Sequence, residues 1–220
     1  LLEAEFHELQ PLLELALAQE ARDDTAHEMA VTARGLAKAA EILAGQFTLV
    51  ATNVPYLGRG KQDEVLMDFC DRFHSAAKAD LATAFVERCF EFCAPSASAA
   101  IVTPQNWLFL DTFRKLRRAI FEVARCQFIA RLGARAFETI GGEVVNVSLI
   151  SVTRIESERS HGFAGFDAAD EKSPADKAYG LMSCQMVLTK QSGVLLDPDC
   201  RIVIGDRASG PLLSLSLIHI

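Results

Sequence analysis

Two kinds of apolar pattern alternate along the first 155 residues of the chain. Apolar side chains spaced three and four positions apart predict amphipathic helices, and short apolar runs rich in β-branched residues predict buried strands. Helices are predicted over residues 1–21, 25–44, 63–74, 80–93 and 111–124, and strands over 47–52, 99–103, 128–132 and 144–152. In the helix at 63–74, we expect Val65, Leu66, Phe69 and Phe73 to point inward.

Strands that alternate with helices and end in a strand pair follow the order of the second half of a doubly wound sheet. The predicted fold class is therefore α/β, the C-terminal half of a Rossmann-like sheet with flanking helices. Residues 1–46 form a helical segment ahead of this sheet, and residues 47–155 contain the partial α/β domain.

The pattern changes after residue 155. Residues 156–183 are dominated by Ser, Asp, Ala, Gly and Lys without clear periodicity, which predicts a loop or linker. Two strand-like pieces, 185–189 and 201–204, indicate that residues 184–211 begin a further module that the chain does not complete. The apolar, repetitive residues 212–220 resemble a translated adapter sequence, and we expect them to be a non-native tail.

Composition narrows the function classes. The 220 residues are 50% hydrophobic and carry a net charge of −7, which argues against a protein that simply coats nucleic acid. No apolar run is long enough to predict a membrane span, and no signal peptide is visible. The cysteines form no CxxC pair, so we predict structural thiols, no metal site and a reducing, cytoplasmic setting.

Basic residues are concentrated in one predicted helix and directly after it, at Arg114, Lys115, Arg117, Arg118 and Arg125. A solvated helix face and a surface that follows a phosphate backbone both fit this pattern, and the solvated face is the commoner case.

A short polar and aromatic segment follows the strand at 47–52, namely Asn53, Val54, Pro55 and Tyr56. An amide oxygen and the next backbone carbonyl can accept both hydrogens of an exocyclic amine, and the tyrosine ring can stack on the heterocycle that carries it. Methylation of an adenine N6 needs such contacts, because the lone pair of that nitrogen is delocalised into the ring. Ligands of doubly wound sheets bind at the carboxyl ends of strands, where this segment lies.

The strand at 99–103 also ends in a polar and aromatic loop, residues 103–109. Trp107 in this loop is a candidate for substrate contact, and the alternative is an ordinary loop whose aromatic residues cover the core. Four segments now carry a resemblance to the adenine-N6 DNA methyltransferases, and more narrowly to the PglX-type methyltransferases of the BREX phage-resistance systems: 51–62, 78–85, 102–109 and 136–146.

This resemblance implies a class I methyltransferase sheet, S-adenosylmethionine as cofactor and double-stranded DNA as partner, with other phage-defence subunits as further partners. It implies that Asn53 and the Val54 carbonyl accept from the adenine amine, that Pro55 shapes the loop, and that Tyr56 stacks on a flipped base. The family's usual motif has Pro where this chain has Val54. The remaining residues that it implies are Asp80 and Phe85 near the cofactor, and Phe137 or Asn146 near the base.

One departure from the family is an absence. No strand followed by a glycine-rich turn, the usual S-adenosylmethionine site, is predicted upstream of Asn53. We therefore expect an internal fragment of a longer enzyme that is inactive in isolation. Asp80 has a helix N-cap as its alternative role. A protein-glutamine or RNA methyltransferase, or a non-catalytic binding fragment, stays open as the alternative function.

Overall fold

The computed structural model describes residues 11, 15, 24–137, 145–156, 158, 160–183, 186–204 and 212–213. The chain divides into two compact units, Leu1–Gln46 and Phe47–Ile220, and this boundary is also the first one predicted from the sequence. Within the described part of the first unit, helix α1 (Asp24–Ala44) matches the helix predicted over 25–44.

The second unit is built on one mixed β-sheet. Its described strands are β1 (Phe47–Asn53), β2 (Cys93–Pro104), β3 (Arg125–Gly133), β4 (Val147–Thr153), β5 (Gly162–Asp167), β6 (Met186–Lys190) and the short β7 (Leu212–Leu213). Their order across the sheet is β1-β2-β4-β3-β5-β6-β7. Strand β1 pairs parallel with β2, and β4 runs antiparallel between β2 and β3.

The parallel pairing of β1 and β2 determines where the two polar loops meet. Asn53 is in register with Val102, so the carboxyl ends of both strands lie at the same edge of the sheet. The loops at 53–56 and 103–109 therefore emerge side by side.

Five helices of the second unit lie among the described residues. They are α2 (Glu64–Phe73), α3 (Leu81–Phe92), α4 (Arg114–Val123), α5 (Pro174–Ser183) and α6 (Gln191–Leu196), with three short 3₁₀ turns at Arg59–Lys61, Gln105–Leu108 and Asp111–Phe113. Val86 and Cys89 of α3 and Leu116 and Phe121 of α4 are fully buried in one core cluster. This cluster is continuous beneath the end of β1, since Val54 belongs to it.

The prediction of a loop or linker over residues 156–183 is wrong. Strand β5 pairs parallel with β3, and α5 follows it. The prediction that 184–211 begins a separate module is also not supported, because β6 pairs antiparallel with β5 in the same sheet. Residues 201–204 form no strand, although the Ile202 N–H donates to the Leu108 carbonyl at 2.9 Å. Of the expected non-native tail at 212–220, only 212–213 lie within the described residues.

Helix α2 does not bury the face predicted from the sequence. Val65, Phe69 and Phe73 are 80%, 49% and 67% exposed, whereas Leu66 is partly buried. The spacing of these apolar residues correctly indicates a helix, but α2 lies at the surface and only one side of it reaches the core.

Candidate active site

The segment from Asn53 to Tyr56 lies where β1 ends. Asn53 is the last residue of the strand, and its side chain is exposed. Val54 is buried, and its N–H donates to the Val102 carbonyl at 3.3 Å, one residue beyond the strand. Pro55 follows with its fixed φ angle, which starts the turn. The backbone of this segment is therefore attached to the sheet before the loop begins.

Tyr56 is half-buried against the core, and its hydroxyl donates to Asn53 Oδ1 at 3.4 Å. This distance is long for an O–H···O bond, so the Asn53 oxygen can exchange this donor for a stronger one. Burial raises the pKa of Tyr56 above its usual value, and the negative charge of Asp80 raises it further. The phenol therefore stays neutral at physiological pH.

Asp80 connects the loop that follows Tyr56 to helix α3. Its Oδ1 accepts from the backbone N–H of Ala82 at 2.9 Å and from that of Leu57 at 3.3 Å. The Leu81 N–H donates to the Leu57 carbonyl at 3.0 Å, which closes a bridge between the two segments. The interpretation of Asp80 as a helix N-cap is thus confirmed, and its contact with a cofactor stays a prediction.

A cavity of about 480 Å³ lies beside this loop. Its volume falls within the range of small-molecule sites, which is about 300–1,000 Å³. Two of the residues predicted from the sequence, Tyr56 and Asp80, contribute to its wall. The complete lining is Tyr56, Gly58, Arg59, Gly60, Lys61, Asp80, Pro104, Asn106 and Val145.

Asn106, Arg59 and Lys61 line the cavity and were missed as candidate residues. The sequence indicates the loop at 103–109 as a candidate for substrate contact, but within that loop its aromatic ring makes Trp107 the predicted residue instead of Asn106. The parallel pairing of β1 with β2 is the signal that could have identified Asn106, since it brings the first residues after Pro104 next to Tyr56.

The prediction of substrate contact by Trp107 needs correction. Its side chain is only 1% exposed, and its indole N–H donates to the Thr103 hydroxyl at 2.9 Å. An indole that is buried with its donor satisfied is a core side chain, so the alternative role as a cover of the core applies.

The other predicted residues lie outside the cavity lining. Phe85 faces a separate apolar groove with Leu66, Phe69 and His74, so it is not brought together with Tyr56. Phe137 is partly exposed at the end of a described segment. The Asn146 carbonyl accepts from the Gln105 N–H at 2.8 Å, which holds the two loops together, while its side chain is exposed.

The basic residues at 114–125 do not share one environment, since Arg114 and Lys115 are exposed and Arg117 is buried. Arg117 is fully buried, and its guanidinium donates to four backbone carbonyls, those of Trp107, Leu110, Asp199 and Cys200. Arg118 and Arg125 are paired with Glu122 and Glu158 at the surface. Arg117 therefore has a structural role between the 107–110 turn and the 199–200 segment.

The described residues do not form a full site for S-adenosylmethionine. Between residues 24 and 46 they contain one long helix and no glycine-rich turn after a strand. The Oδ1 of Asp80 accepts from two backbone N–H groups, which is its role as a helix N-cap. No methyl-transfer step can be assigned to these described residues alone.

Neither a metal site nor a membrane span is found in the part of the chain that the structure describes. It contains no cluster of His, Cys, Asp or Glu side chains able to hold a metal ion. Burial raises the pKa of the Cys89 thiol to about 11, as expected of a packed thiol. Among the described helices, none is long and apolar enough to cross a membrane.

The mixed sheet, with Asn53 and Tyr56 at the end of β1 and Tyr56 on a cavity wall, agrees with the class I methyltransferase fold predicted from the sequence. The chain belongs to the Eco57I restriction-modification methylase family, whose model matches residues 4–137.

Two curated proteins are similar to this chain. The adenine-specific methyltransferase PglX of Lacticaseibacillus casei (strain Zhang) is 34% identical over 149 residues, which cover 64% of this chain and 12% of that protein. The adenine-specific methyltransferase BrxX of Escherichia coli O9:H4 (strain HS) is 33% identical over 107 residues, which cover 49% of this chain and 9% of that protein. The chain thus spans about a tenth of the length of these relatives, and the resemblance predicted from the sequence is confirmed.

Two solved structures share the fold. A nuclease-deletion mutant of the Type ISP restriction-modification enzyme LlaGI in complex with a DNA substrate mimic aligns over 84% of this chain and 20% of its own, with a TM-score of 0.55 and 14% identity. The DrdV–DNA complex aligns over 75% of this chain and 19% of its own, with a TM-score of 0.53 and 14% identity. The predicted fold class is confirmed.

Proposed function

We propose that this chain holds the adenine in a DNA methyltransferase that transfers a methyl group from S-adenosylmethionine to N6 of a flipped adenine. The observation that carries the proposal is the position of Asn53 and Tyr56 at the carboxyl end of β1, with the Tyr56 ring on the wall of a cavity large enough for a purine. Membership of the restriction-modification methylase family supports the same reaction.

In this proposal the chain's residues hold and polarise the amine. Asn53 Oδ1 leaves its long bond with the Tyr56 hydroxyl and accepts from N6, and the Val54 carbonyl accepts the second hydrogen. Two acceptors favour a tetrahedral, nucleophilic nitrogen at the position where it must attack. Stacking on Tyr56 offsets the cost of extruding the base, which is a few kcal/mol.

The methyl donor binds to residues outside the described segments, so the 220-residue chain alone is proposed to be inactive. The lack of a glycine-rich turn among the described residues upstream of β1 supports this division. A role in phage defence, with other defence subunits as partners, is proposed because curated relatives are named PglX and BrxX.

The first prediction tests the two side chains in the full-length protein that contains this chain. We expect Asn53→Ala to lower the methylation rate of a cognate duplex by about 10²–10³-fold, because a precisely placed polar contact to the reacting group is lost. Transfer of a labelled methyl group from S-adenosylmethionine measures the rate.

Tyr56→Phe is the matched variant, since it keeps the ring and removes the hydroxyl that bonds Asn53. It should retain activity within about 10-fold of the original protein, because stacking is preserved. Wild-type activity of Asn53→Ala would refute the role of Asn53. If the label appears in protein or RNA and not in DNA, the substrate is protein or RNA and the proposal of a DNA substrate is wrong.

A further inference from the structure

Charged side chains of both signs line the cavity. Arg59 and Lys61 are basic lining residues, and Asp80 is the acidic one among the lining residues that the structure describes. The Asp80 carboxylate is also engaged by the Leu57 and Ala82 N–H groups. Basic side chains on the wall of a cavity, in a chain with a net charge of −7, favour an anionic group at this place.

Arg59 is held in position from both ends. Its backbone N–H donates to the Ala79 carbonyl at 3.0 Å, and its Nη2 donates to Asp71 Oδ2 at 2.6 Å. Asp71 is itself fixed by Lys78, whose Nζ lies 2.9 Å from Oδ1. Hydrogen bonds from Lys78 and Arg59 hold the pKa of Asp71 below its usual value. Asp71 therefore stays ionised and orients the guanidinium.

The second terminal nitrogen of Arg59 is not used by the fold. Nη1 is buried and has no hydrogen-bond partner in the described structure. Leaving a buried donor unpaired costs about 1–3 kcal/mol, and more for a charged group. Arg59 itself lines the cavity, so an unpaired donor on its guanidinium is a group that a ligand there can satisfy.

The loop around Arg59 allows close approach of a ligand. A Cβ added to Gly58 or Gly60 would meet no atom within 4 Å, so the backbone on both sides of Arg59 borders open space. A guanidinium with one nitrogen anchored and one unpaired is suited to a phosphate oxygen, because charge-assisted N–H···O bonds to phosphate are strong and directional.

We propose that Arg59 binds one phosphate of the nucleotide whose base is held by Asn53 and Tyr56. The inference rests on the proposed function, since it takes that nucleotide as the ligand of the cavity. Asp71 orients the guanidinium, and the phosphate contact fixes the flipped nucleotide so that its amine reaches Asn53.

The test measures binding of three probes to the 220-residue chain by saturation-transfer NMR: deoxyadenosine, its 3′-monophosphate and its 5′-monophosphate. We expect deoxyadenosine to bind, and one of the monophosphates to bind about 10- to 100-fold more tightly, since each factor of 10 corresponds to about 1.4 kcal/mol and a charge-assisted bond is worth about 1.5–3 kcal/mol. In Arg59→Gln this gain should disappear, while the affinity for deoxyadenosine should stay unchanged. The unchanged deoxyadenosine affinity also shows that the variant is folded.

Arg72→Gln is the matched control, because Arg72 is an exposed arginine of α2 outside the cavity lining and its loss changes the net charge equally. The gain from the phosphate should persist in this variant. If deoxyadenosine binds but neither phosphate adds affinity, or if Arg72→Gln removes the gain as well, the role of Arg59 is refuted and the proposed function stands. If no probe binds, both are refuted.

A carboxylate is the other anion that could use Arg59, and S-adenosylhomocysteine supplies one. Binding of S-adenosylhomocysteine that Arg59→Gln weakens, without a phosphate gain in the original chain, would assign Arg59 to the cofactor and overturn the proposal.

Discussion

At the scale of the residue, the same side-chain type has opposite roles at neighbouring positions. Arg117 is fully buried among four backbone carbonyls, whereas Arg118, the next residue, is 43% exposed beside Glu122. A buried guanidinium is tolerated because its donors satisfy carbonyls that would otherwise be unpaired. Sequence pattern cannot separate the two roles, because two of these carbonyls belong to Asp199 and Cys200, about 80 positions away along the chain.

The second prediction concerns this buried cation. We expect Arg117→Met to lower the free energy of unfolding by about 3–5 kcal/mol, because it leaves several buried carbonyls without donors. Arg118→Met should change it by less than about 0.5 kcal/mol, since exposed ion pairs contribute little. Urea unfolding followed by circular dichroism measures both, and equal midpoints would contradict the structural role of Arg117.

The sequence predicts a residue of the candidate site where the chemistry of its side chain and its position at the end of a strand both indicate ligand contact. Asn53 and Tyr56 combine an amide and a ring at a strand end, and the structure places Tyr56 on the cavity. The wrong prediction for Trp107 shows where sequence patterns fail, because an aromatic residue in a loop can cover the core equally well. Arg59 and Asn106 lie in segments that carry the family resemblance, but the sequence does not single them out, since their relevance depends on the pairing of β1 with β2 and on a cavity that forms only after folding.

At the scale of the element, strand β5 explains why sequence patterns mistook residues 156–183 for a linker. Gly162 and Gly165 weaken the apolar signal of the strand, yet both lie at close packing contacts. A Cβ on Gly165 would approach Ile204 Cγ2 to 2.9 Å, and one on Gly162 would approach Leu188 Cδ1 to 3.1 Å. Small residues at close contacts resemble loop residues in a sequence, because the neighbouring strand that they contact is not visible there.

The third prediction follows from this correction. A chain shortened to residues 1–155 should lose cooperative unfolding, because β3 would lose its partner β5 and Gln191 would no longer bond Cys126, Phe121 and Ala124. A chain of residues 1–204, which keeps these contacts, should unfold cooperatively. Thermal unfolding followed by near-ultraviolet circular dichroism compares the two, and a cooperative transition in the shorter chain would restore the linker interpretation.

At the scale of the whole molecule, the sheet has one apolar edge. Strand β1 lies at the end of the strand order and pairs only with β2 among the described residues. Its sequence contains neither charge nor proline, and Phe47 and Leu49 are 39% and 61% exposed. Parallel strands are normally buried on both sides, and exposed apolar edges favour pairing with another strand. This edge is where the proposed methyl-donor half of the sheet would continue.

The last prediction is that the 220-residue chain associates through β1 with a second copy of itself. The Val54 N–H points to β2, so the alternation along a strand directs the Thr52 N–H to β2 and the Ala51 N–H to the open edge. Ala51→Pro should therefore block edge pairing and leave the fold intact, because it removes only an outward donor. Sedimentation velocity at concentrations on the order of 100 µM should show that the Ala51→Pro variant forms a smaller species than the original chain does.

Thr52→Pro is the control that separates edge pairing from folding. The same substitution one position later removes a donor to β2, so it should destabilise the sheet by about 1 kcal/mol or more and not simply reduce association. A monomeric original chain, or association that persists in a folded Ala51→Pro variant, would show that the edge is not the contact. Association lost only in Ala51→Pro would mean that β1 accepts a strand from outside the described sheet. The proposed division between an adenine-holding half and a methyl-donor half requires that property of β1.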